Sequence, residues 1–173
     1  MLAPAGTFIV RPVRESDEAG IGRLLAELDP DSRYLRWFSY AVDVRGASRW
    51  AAHPEIDAAL GFVAVADEEI IGHGVMIPLS GESGEVAFEV AAPWRRHGVA
   101  TALLDAIIAS ALLGGTRQLT ADVLTGNADM LAVFREHGLH TEIREGGVVS
   151  LTVPLAAEQD GRPTSFGRAH GTG

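Results

Sequence analysis

A short arginine-rich loop, followed directly by small residues, has the composition of a phosphate-binding site. It lies within the sequence EVAFEVAAPWRRHGVATALL, residues 85–104, between a predicted strand and a predicted helix. The first backbone N–H groups of a helix have no partner inside the helix, and with the helix dipole they favour a phosphate or diphosphate. Small side chains let a ligand approach these groups closely. The candidate phosphate-binding residues are Arg95, Arg96, Gly98, Val99, Ala100 and Thr101, with His97 as a weaker candidate in the same loop.

Two carboxylates on the strand before this loop are candidates for acid–base chemistry. Glu85 and Glu89 are four residues apart, and both point to one face of the sheet because side chains alternate along a strand. The loop matches neither of two common nucleotide-binding motifs. A Walker loop needs Gly-Lys-Ser/Thr, and the chain contains no lysine. A dinucleotide-binding loop follows a strand of a βαβ unit, whereas this strand is predicted to end an antiparallel meander.

The composition excludes several other classes of site. The chain has 173 residues and no cysteine, which excludes disulfides, thiolate zinc sites, iron–sulfur clusters and cysteine nucleophiles. Its net charge of −9 disfavours binding to nucleic acid and to anionic membranes, since both depend on cationic side chains. Residues 1–6 lack the features of a signal peptide, and no apolar stretch is long enough to span a bilayer. We therefore expect a cytoplasmic protein with no nucleic-acid, membrane or metal partner.

Hydrophobic periodicity predicts an α/β domain with a mixed sheet. Three strands joined by tight turns form the meander, a strand–helix–strand crossover follows, and a helix and a hairpin complete the domain. We expect residues 1–6 to be flexible, 7–155 to form one domain and 156–173 to be a mobile tail. The predicted strands are 7–13, 60–66, 69–79, 85–91, 117–124, 142–145 and 148–155; the predicted helices are 15–28, 32–39, 99–113 and 128–137; residues 43–53 and 54–58 are predicted as loop, the first with one or two helical turns.

These motifs resemble those of the GNAT superfamily of acyl-CoA N-acyltransferases. The diphosphate motif of the family, Gln/Arg-x-x-Gly-x-Gly/Ala, matches Arg95-Arg96-His97-Gly98-Val99-Ala100. A later family motif matches the stretch that runs from Asn127 through Phe134 to Gly138-Leu139. The resemblance covers about residues 8–155. Together with SRYLRWF at residues 32–38, segment 85–104 is most similar to the GNAT domain of bacterial protein lysine acetyltransferases.

The resemblance implies a GNAT fold, in which a mixed, mostly antiparallel sheet of six to seven strands has helices on both faces and a V-shaped gap between its central strands. It implies acetyl-CoA as co-substrate in that gap, with pantetheine paired like an extra strand against the backbone from Phe88 to Ala91. The N–H of Val90 is the resembling position for the donor to the tetrahedral oxyanion. Asn127 resembles a residue near the pantetheine arm, and it also has the residue type of a helix N-cap.

The resemblance further implies that an amine attacks the thioester directly, which requires a base. A free alkylamine has a pKa of about 10.4, so deprotonating it at neutral pH costs about 4 kcal/mol. Glu85 resembles the catalytic glutamate of many family members and is our first choice, with Glu89 as second choice. Many relatives carry a tyrosine that protonates the leaving thiolate, whereas this chain has Phe134 there. The general acid therefore stays open between solvent, another group and unassisted departure of the thiolate.

The sequence leaves the acceptor and the functional class with alternatives. The stretch at residues 32–38 favours a protein lysine as the acceptor, followed by a small-molecule amine, and an anionic protein attracts either as a cation. Two functions from other classes are a non-catalytic acyl-CoA-sensing module and a pseudo-enzyme that serves as a dimeric scaffold. A homodimer is a further expectation, since many family members dimerise.

Overall fold

Seven strands form one mixed sheet in the spatial order β1-β2-β3-β4-β5-β7-β6. The computed structural model describes residues 6–30, 43–79, 81–138 and 141–155. The pair β4–β5 is parallel and the other five pairs are antiparallel, which confirms the predicted α/β class and sheet type. The strands are β1 (Ile9–Pro12), β2 (Leu60–Ala66), β3 (Glu69–Pro78), β4 (Ser83–Val90), β5 (Gln118–Leu124), β6 (Thr141–Glu145) and β7 (Val148–Pro154).

Four α-helices lie within the described ranges, and one of them has the bounds that the sequence predicted. Helix α3 runs from Val99 to Leu113 and is apolar nearly all round because it is buried: Leu103 and Ile107 are fully enclosed. The helices are α1 (Glu18–Glu27), α2 (Val44–Ala52), α3 (Val99–Leu113) and α4 (Ala128–Glu136), and short 3-10 turns occupy Glu15–Asp17, Pro54–Asp57 and Ala92–Trp94.

The first helix begins later than predicted, at Glu18 after a 3-10 turn. Either Ser16 or Asp17 could cap the helix predicted over 15–28, and Asp17 occupies the N-cap position of α1, but its side chain makes no capping hydrogen bond. The Asp17 carboxylate accepts hydrogen bonds from the Arg11 guanidinium at 2.7 and 2.8 Å and from the Arg14 backbone N–H at 2.8 Å. The hydrogen bonds from Arg11 lower the pKa of Asp17, against the opposing effect of burial.

Helix α2 occupies a segment that the sequence predicted largely as loop. Asp43 caps it by accepting a hydrogen bond from the backbone N–H of Gly46 at 3.1 Å. The buried side of the helix consists of small residues, so the apolar periodicity in the sequence is weak. These small buried residues are Ser48, Ala51 and Ala52.

Strands β4 and β5 are paired only at their N-terminal ends. The parallel register joins residues 83–85 to residues 118–120, while β5 pairs with β7 over its full length. Beyond Glu85 and Thr120 the two strands separate. The V-shaped gap implied by the resemblance is therefore present, and it opens beside the C-terminal half of β4.

Helices cover both faces of the sheet, as expected. On one face, α3 and α4 bury Leu103, Ile107 and Phe134 in a single apolar cluster. On the other face, α1 packs Ile21 and Leu25 in a second cluster that includes Val63 of β2. Strand β4 therefore has one face towards α3 and the opposite face towards α1 and α2.

Several predictions fall outside the described residues. The helix predicted over 32–39 and the tail predicted over 156–173 lie there, as do residues 1–5 of the predicted flexible N-terminus. Gly6 is described, and a Cβ built on it would lie 3.0 Å from the ring of Trp94.

Candidate active site

A cavity of about 470 Å³ lies where the gap between β4 and β5 meets the N-terminus of α3. Its wall comprises the C-terminal half of β4, the loop that follows, the first turn of α3, one side of α4 and the residue after α1. The lining residues are Leu28, Phe88, Glu89, Val90, Trp94, Arg95, Arg96, Gly98, Val99, Ala100, Thr101, Asn127, Asp129, Met130, Ala132, Val133 and Glu136.

The backbone of β4 presents hydrogen-bonding groups to the gap. In an antiparallel pair, residues that bond to the partner strand alternate with residues whose N–H and C=O point away from it. Ala91 N–H donates to Ile71 C=O at 2.8 Å, and the unshifted register places Glu89 and Ala91 in the bonded set. Phe88 and Val90 belong to the other set, so their N–H and C=O groups point across the gap. Because β5 has already separated there, an extended ligand can take the place of a neighbouring strand.

The first turn of α3 lines the cavity with N–H groups that precede the helical hydrogen bonds. The first of these bonds runs from Ala102 N–H to Gly98 C=O at 2.9 Å, so Val99, Ala100 and Thr101 have no N–H acceptor within the helix. Gly98 has φ +79°, a left-handed conformation that favours glycine. A Cβ added there would meet nothing within 4 Å, so open space lies in front of this turn.

The predicted loop cations take different positions. Arg95 and Arg96 both line the cavity, and Arg95 also donates to the Asp29 carboxylate at 2.8 Å. Arg96 has φ +59°, which is rare for a residue with a Cβ. His97 does not line the cavity: its Nδ1 lies 2.7 Å from the carbonyl oxygen of Arg95, and its ring packs against Trp94 with centroids 6.3 Å apart.

The two candidate carboxylates share a face of β4 but differ in their surroundings. Glu89 lines the cavity, is only 5% exposed, and places Oε1 2.6 Å from His73 Nδ1. Glu85 is exposed and is not among the lining residues. It opposes Ile77 of β3 in the register. Four residues of strand separate the two glutamates by about 13 Å along β4.

Asn127 and Phe134 lie on the α4 side of the gap. Asn127 caps α4 by accepting a hydrogen bond from Met130 N–H at 3.2 Å, and it also lines the cavity. Phe134 is 1% exposed, and its ring lies 6.2 Å from that of Phe88. Both residues border a second, smaller cavity of about 40 Å³ between β4 and β5. Phe134 is thus a core residue at the bottom of the gap.

Sequence reasoning missed part of the cavity wall. One side of α4 contributes Asp129, Val133 and Glu136, and their spacing of four and three residues is the signal that could have placed them on one face. Trp94 was predicted only as part of the polar loop. His73 was not among the predicted site residues, since its position opposite Glu89 depends on a register between β3 and β4 that the sequence does not reveal.

Comparison with known protein families assigns this chain to one of them. The sequence profile of the Acetyltransferase (GNAT) family matches residues 23–139. The chain belongs to the GNAT family. Members of this family are N-acyltransferases that use acetyl-CoA as co-substrate. Membership of the family therefore confirms the enzyme class and the co-substrate that the resemblance implied.

Solved structures share this GNAT fold over most of the chain. The GNAT domain of S. lividans PAT is 27% identical, with a TM-score of 0.76 over 88% of this chain and 99% of that one. A GCN5-related N-acetyltransferase from Kribbella flavida is 21% identical, with a TM-score of 0.73 over 86% and 98%. The putative acetyltransferase yncA from Salmonella typhimurium, solved with its cofactor acetyl-CoA, is 14% identical, with a TM-score of 0.71 over 91% and 99%. The last two show a common fold alone, and the first confirms the predicted likeness to a bacterial PAT domain.

The described residues of this GNAT chain contain neither a cluster of metal ligands nor a membrane-spanning helix. Over residues 6–30, 43–79, 81–138 and 141–155, no group of three or more metal-ligating side chains lies together. Over the same ranges, no helix has both the length and the apolar character needed to cross a bilayer.

Proposed function

We propose that this GNAT protein transfers an acetyl group from acetyl-CoA to the amine of a protein lysine. The observation that carries the proposal is the presence of two sets of backbone groups in one cavity. The first turn of α3 offers N–H donors suited to a diphosphate. The edge of β4 at Phe88 and Val90 offers donors and acceptors suited to an extended amide chain. Diphosphate and pantetheine are the two corresponding parts of coenzyme A.

The β4 edge would also stabilise the reacting carbonyl. Val90 turns its N–H across the gap, at the level where Glu89 reaches the cavity from the opposite face of the same strand. An N–H in this position can donate to the oxygen that becomes negative when the amine adds to the thioester. Acetyl-CoA would then bind from the α3 side of the sheet and the amine would attack from the α1 side, so the two reactants would meet at the gap.

A carboxylate of β4 would take a proton from the acceptor ammonium group. Both candidates, Glu85 and Glu89, lie on the face away from α3. The amine nitrogen then bonds to the acyl carbon and the carbon–sulfur bond breaks. The nitrogen loses a second proton, the sulfur leaves as the thiol of coenzyme A, and one proton passes to solvent. The products are an amide, the thiol and a proton, so the step balances without any oxidant or metal.

Two features support a protein lysine as the acceptor. The structure with 27% identity is the GNAT domain of a protein named PAT, and the likeness extends over 88% of this chain. The net charge of −9 attracts cationic side chains and repels anionic ones. A small-molecule amine is the second acceptor class, and a panel of lysine peptides and polyamines would separate the two.

A thermal-shift experiment tests the binding site. Acetyl-CoA should raise the Tm of the wild type and should fail to raise that of Gly98→Trp, whose side chain enters the open space before α3. Gly115→Trp is the matched control, because Gly115 also has a positive φ, +88°, with nothing within 4 Å of a built Cβ, and lies at the other end of α3. No stabilisation of the wild type at saturating acetyl-CoA would contradict the proposal.

The base can be assigned by comparing Glu85→Gln with Glu89→Gln. Loss of the base should lower kcat/KM at neutral pH by about 100-fold or more, and the loss should shrink at high pH, where the free amine becomes abundant. KM for acetyl-CoA should change little in either variant. If both variants keep wild-type activity at every pH, β4 does not supply the base.

The absence of a hydroxyl at Phe134 favours one alternative function, an acyl-CoA sensor without turnover. A phenyl ring has no ionisable hydrogen, so Phe134 offers no proton to a leaving thiolate. Acetyl-CoA binding without acylation of any amine in the panel would support the sensor and contradict the enzyme.

A further inference from the structure

The imidazole of His73 and the carboxylate of Glu89 form a buried pair in the middle of the sheet. His73 is 1% exposed and Glu89 is 5% exposed, and Nδ1 lies 2.6 Å from Oε1. The two residues face each other in the register of β3 and β4. Val63 of β2 faces His73 from the other side and belongs to the cluster beneath α1 and α2, so the pair lies on the face away from α3.

The second ring nitrogen indicates which nitrogen of a neutral His73 ring carries the proton. Within the part of the chain that the structure describes, His73 Nε2 is buried and has no hydrogen-bond partner. A buried N–H without an acceptor is rarer in proteins than a buried acceptor with an unused lone pair. This favours a neutral ring with its single proton on Nδ1, where it is donated to Oε1 of Glu89.

Charged residues lie on several elements around the pair, and Arg95 and Arg96 line the same cavity as Glu89. Glu85 lies on the same face, four residues along β4. Helix α1 turns Ile21 and Leu25 inwards, while its charged residues Arg23 and Glu27 are exposed and Glu18 is half-buried. On β3, the neighbour that contacts the Glu89 carboxylate is the imidazole of His73.

We propose that His73 is a positioning residue that holds the Glu89 carboxylate charged and fixed at the cavity wall, where Glu89 takes the proton from the acceptor amine. The inference rests on the proposed acyl transfer and specifies which carboxylate accepts the proton and what orients it. The hydrogen bond from Nδ1 favours the ionised carboxylate and restricts its rotation. Glu89 is then ready to accept a proton without reorganising.

A nuclear magnetic resonance experiment tests the pair without any turnover. In protein with ¹⁵N-labelled histidine, a long-range ¹H–¹⁵N spectrum at pH 7 should include a ring, that of His73, with a proton on Nδ1 and a bare Nε2. The signal should disappear in His73→Asn, which assigns it. A His73 ring with its proton on Nε2, or a signal unchanged in Glu89→Gln, would overturn the proposal.

Kinetics test the role in transfer. His73→Leu removes the donor, so the acid limb of kcat/KM should move to higher pH by about one to two units, with kcat at pH 7 lowered and activity recovering at high pH. His73→Asn keeps an N–H at the position of Nδ1, so its acid limb should stay within about half a unit of the wild type. KM for acetyl-CoA should be unchanged in both, which a general loss of structure would not allow.

The outcomes separate this inference from the proposed function. A wild type that binds acetyl-CoA but acylates no amine contradicts the proposed transfer, whereas the resonance experiment still reports on the pair. Normal transfer with an unmoved acid limb in His73→Leu overturns the inference alone. If His73→Leu does not fold, the comparison of His73→Asn with Glu89→Gln decides, since only the second should lose activity strongly.

Discussion

The guanidinium of Arg95 lies 2.8 Å from the carboxylate of Asp29, a residue 66 positions earlier in the chain. This ion pair joins the loop before α3 to the chain just after α1. Asp29 follows Leu28, which is the C-cap residue of α1 and lines the cavity. The side chains are 37% and 44% exposed, so solvent screens their attraction. The pair therefore places a negative charge beside the site proposed for a diphosphate without contributing much to stability.

Replacing Asp29 by Asn should strengthen acetyl-CoA binding. Removing this negative charge should lower the Kd by about two- to fivefold, the range expected for a half-exposed charge interaction. A titration of tryptophan fluorescence, with Trp94 in the cavity wall, measures this at low and at high ionic strength. The gain should shrink at high salt. Glu68→Gln, in the exposed turn between β2 and β3, is the control that removes an equal charge elsewhere. Weaker binding by Asp29→Asn would contradict this electrostatic explanation.

The features that sequence predicted well were local ones. The apolar run of α3, the glycine before it and the alternation that puts Glu85 and Glu89 on one face all follow from neighbouring residues. Features that depend on distant residues were not predictable. Asp17 forms an ion pair with Arg11 of β1 where a cap was expected, and Glu89 meets His73 only through the register of two strands. The point at which β4 separates from β5 places Glu89, and not Glu85, at the cavity.

Gly74 should not tolerate even a methyl group. A Cβ built on Gly74 would lie 2.8 Å from Phe88 Cδ1 and 3.3 Å from Ile107 Cδ1. Gly74→Ala must therefore displace the Phe88 ring, which we expect to lower the free energy of unfolding by about 1–3 kcal/mol. Because Phe88 lines the cavity, acetyl-CoA binding should weaken as well. Urea denaturation and the fluorescence titration measure the two effects.

Gly114→Ala is the matched control for this substitution. Its built Cβ comes no closer than 3.4 Å to another atom, an ordinary contact, and it lies at the far end of α3. It should leave acetyl-CoA binding unchanged. Equal effects of the two substitutions on binding would argue against Phe88 as a wall of the site.

The Asp17–Arg11 ion pair should make stability depend on pH in the acid range. Hydrogen bonds from Arg11 hold the pKa of Asp17 below its ordinary value of 3.8. Because the folded value is the lower one, the stabilisation is complete above about pH 4 and is lost as the pH falls through the folded pKa.

Asp17→Asn should lower the free energy of unfolding by about 1.5–3 kcal/mol at pH 7, and its difference from the wild type should diminish below pH 4. Urea denaturation at several pH values measures this. Glu15→Gln, an exposed neighbour, should show no such dependence, and a constant difference for Asp17→Asn down to pH 2 would contradict the assignment.

Asn127 should prove to have two separable roles. Its side-chain oxygen accepts from Met130 N–H and so caps α4, while the residue also lines the cavity. Asn127→Ala removes the cap and should lower the free energy of unfolding by about 1 kcal/mol. Asn127→Ser keeps a capping oxygen but lacks the amide, so its stability should stay within a few tenths of a kcal/mol of the wild type. If the amide contacts acetyl-CoA, both variants should bind it several-fold more weakly. Because only Asn127→Ala loses the cap, weak binding confined to that variant would mean that α4 is displaced and that Asn127 makes no contact of its own with the co-substrate.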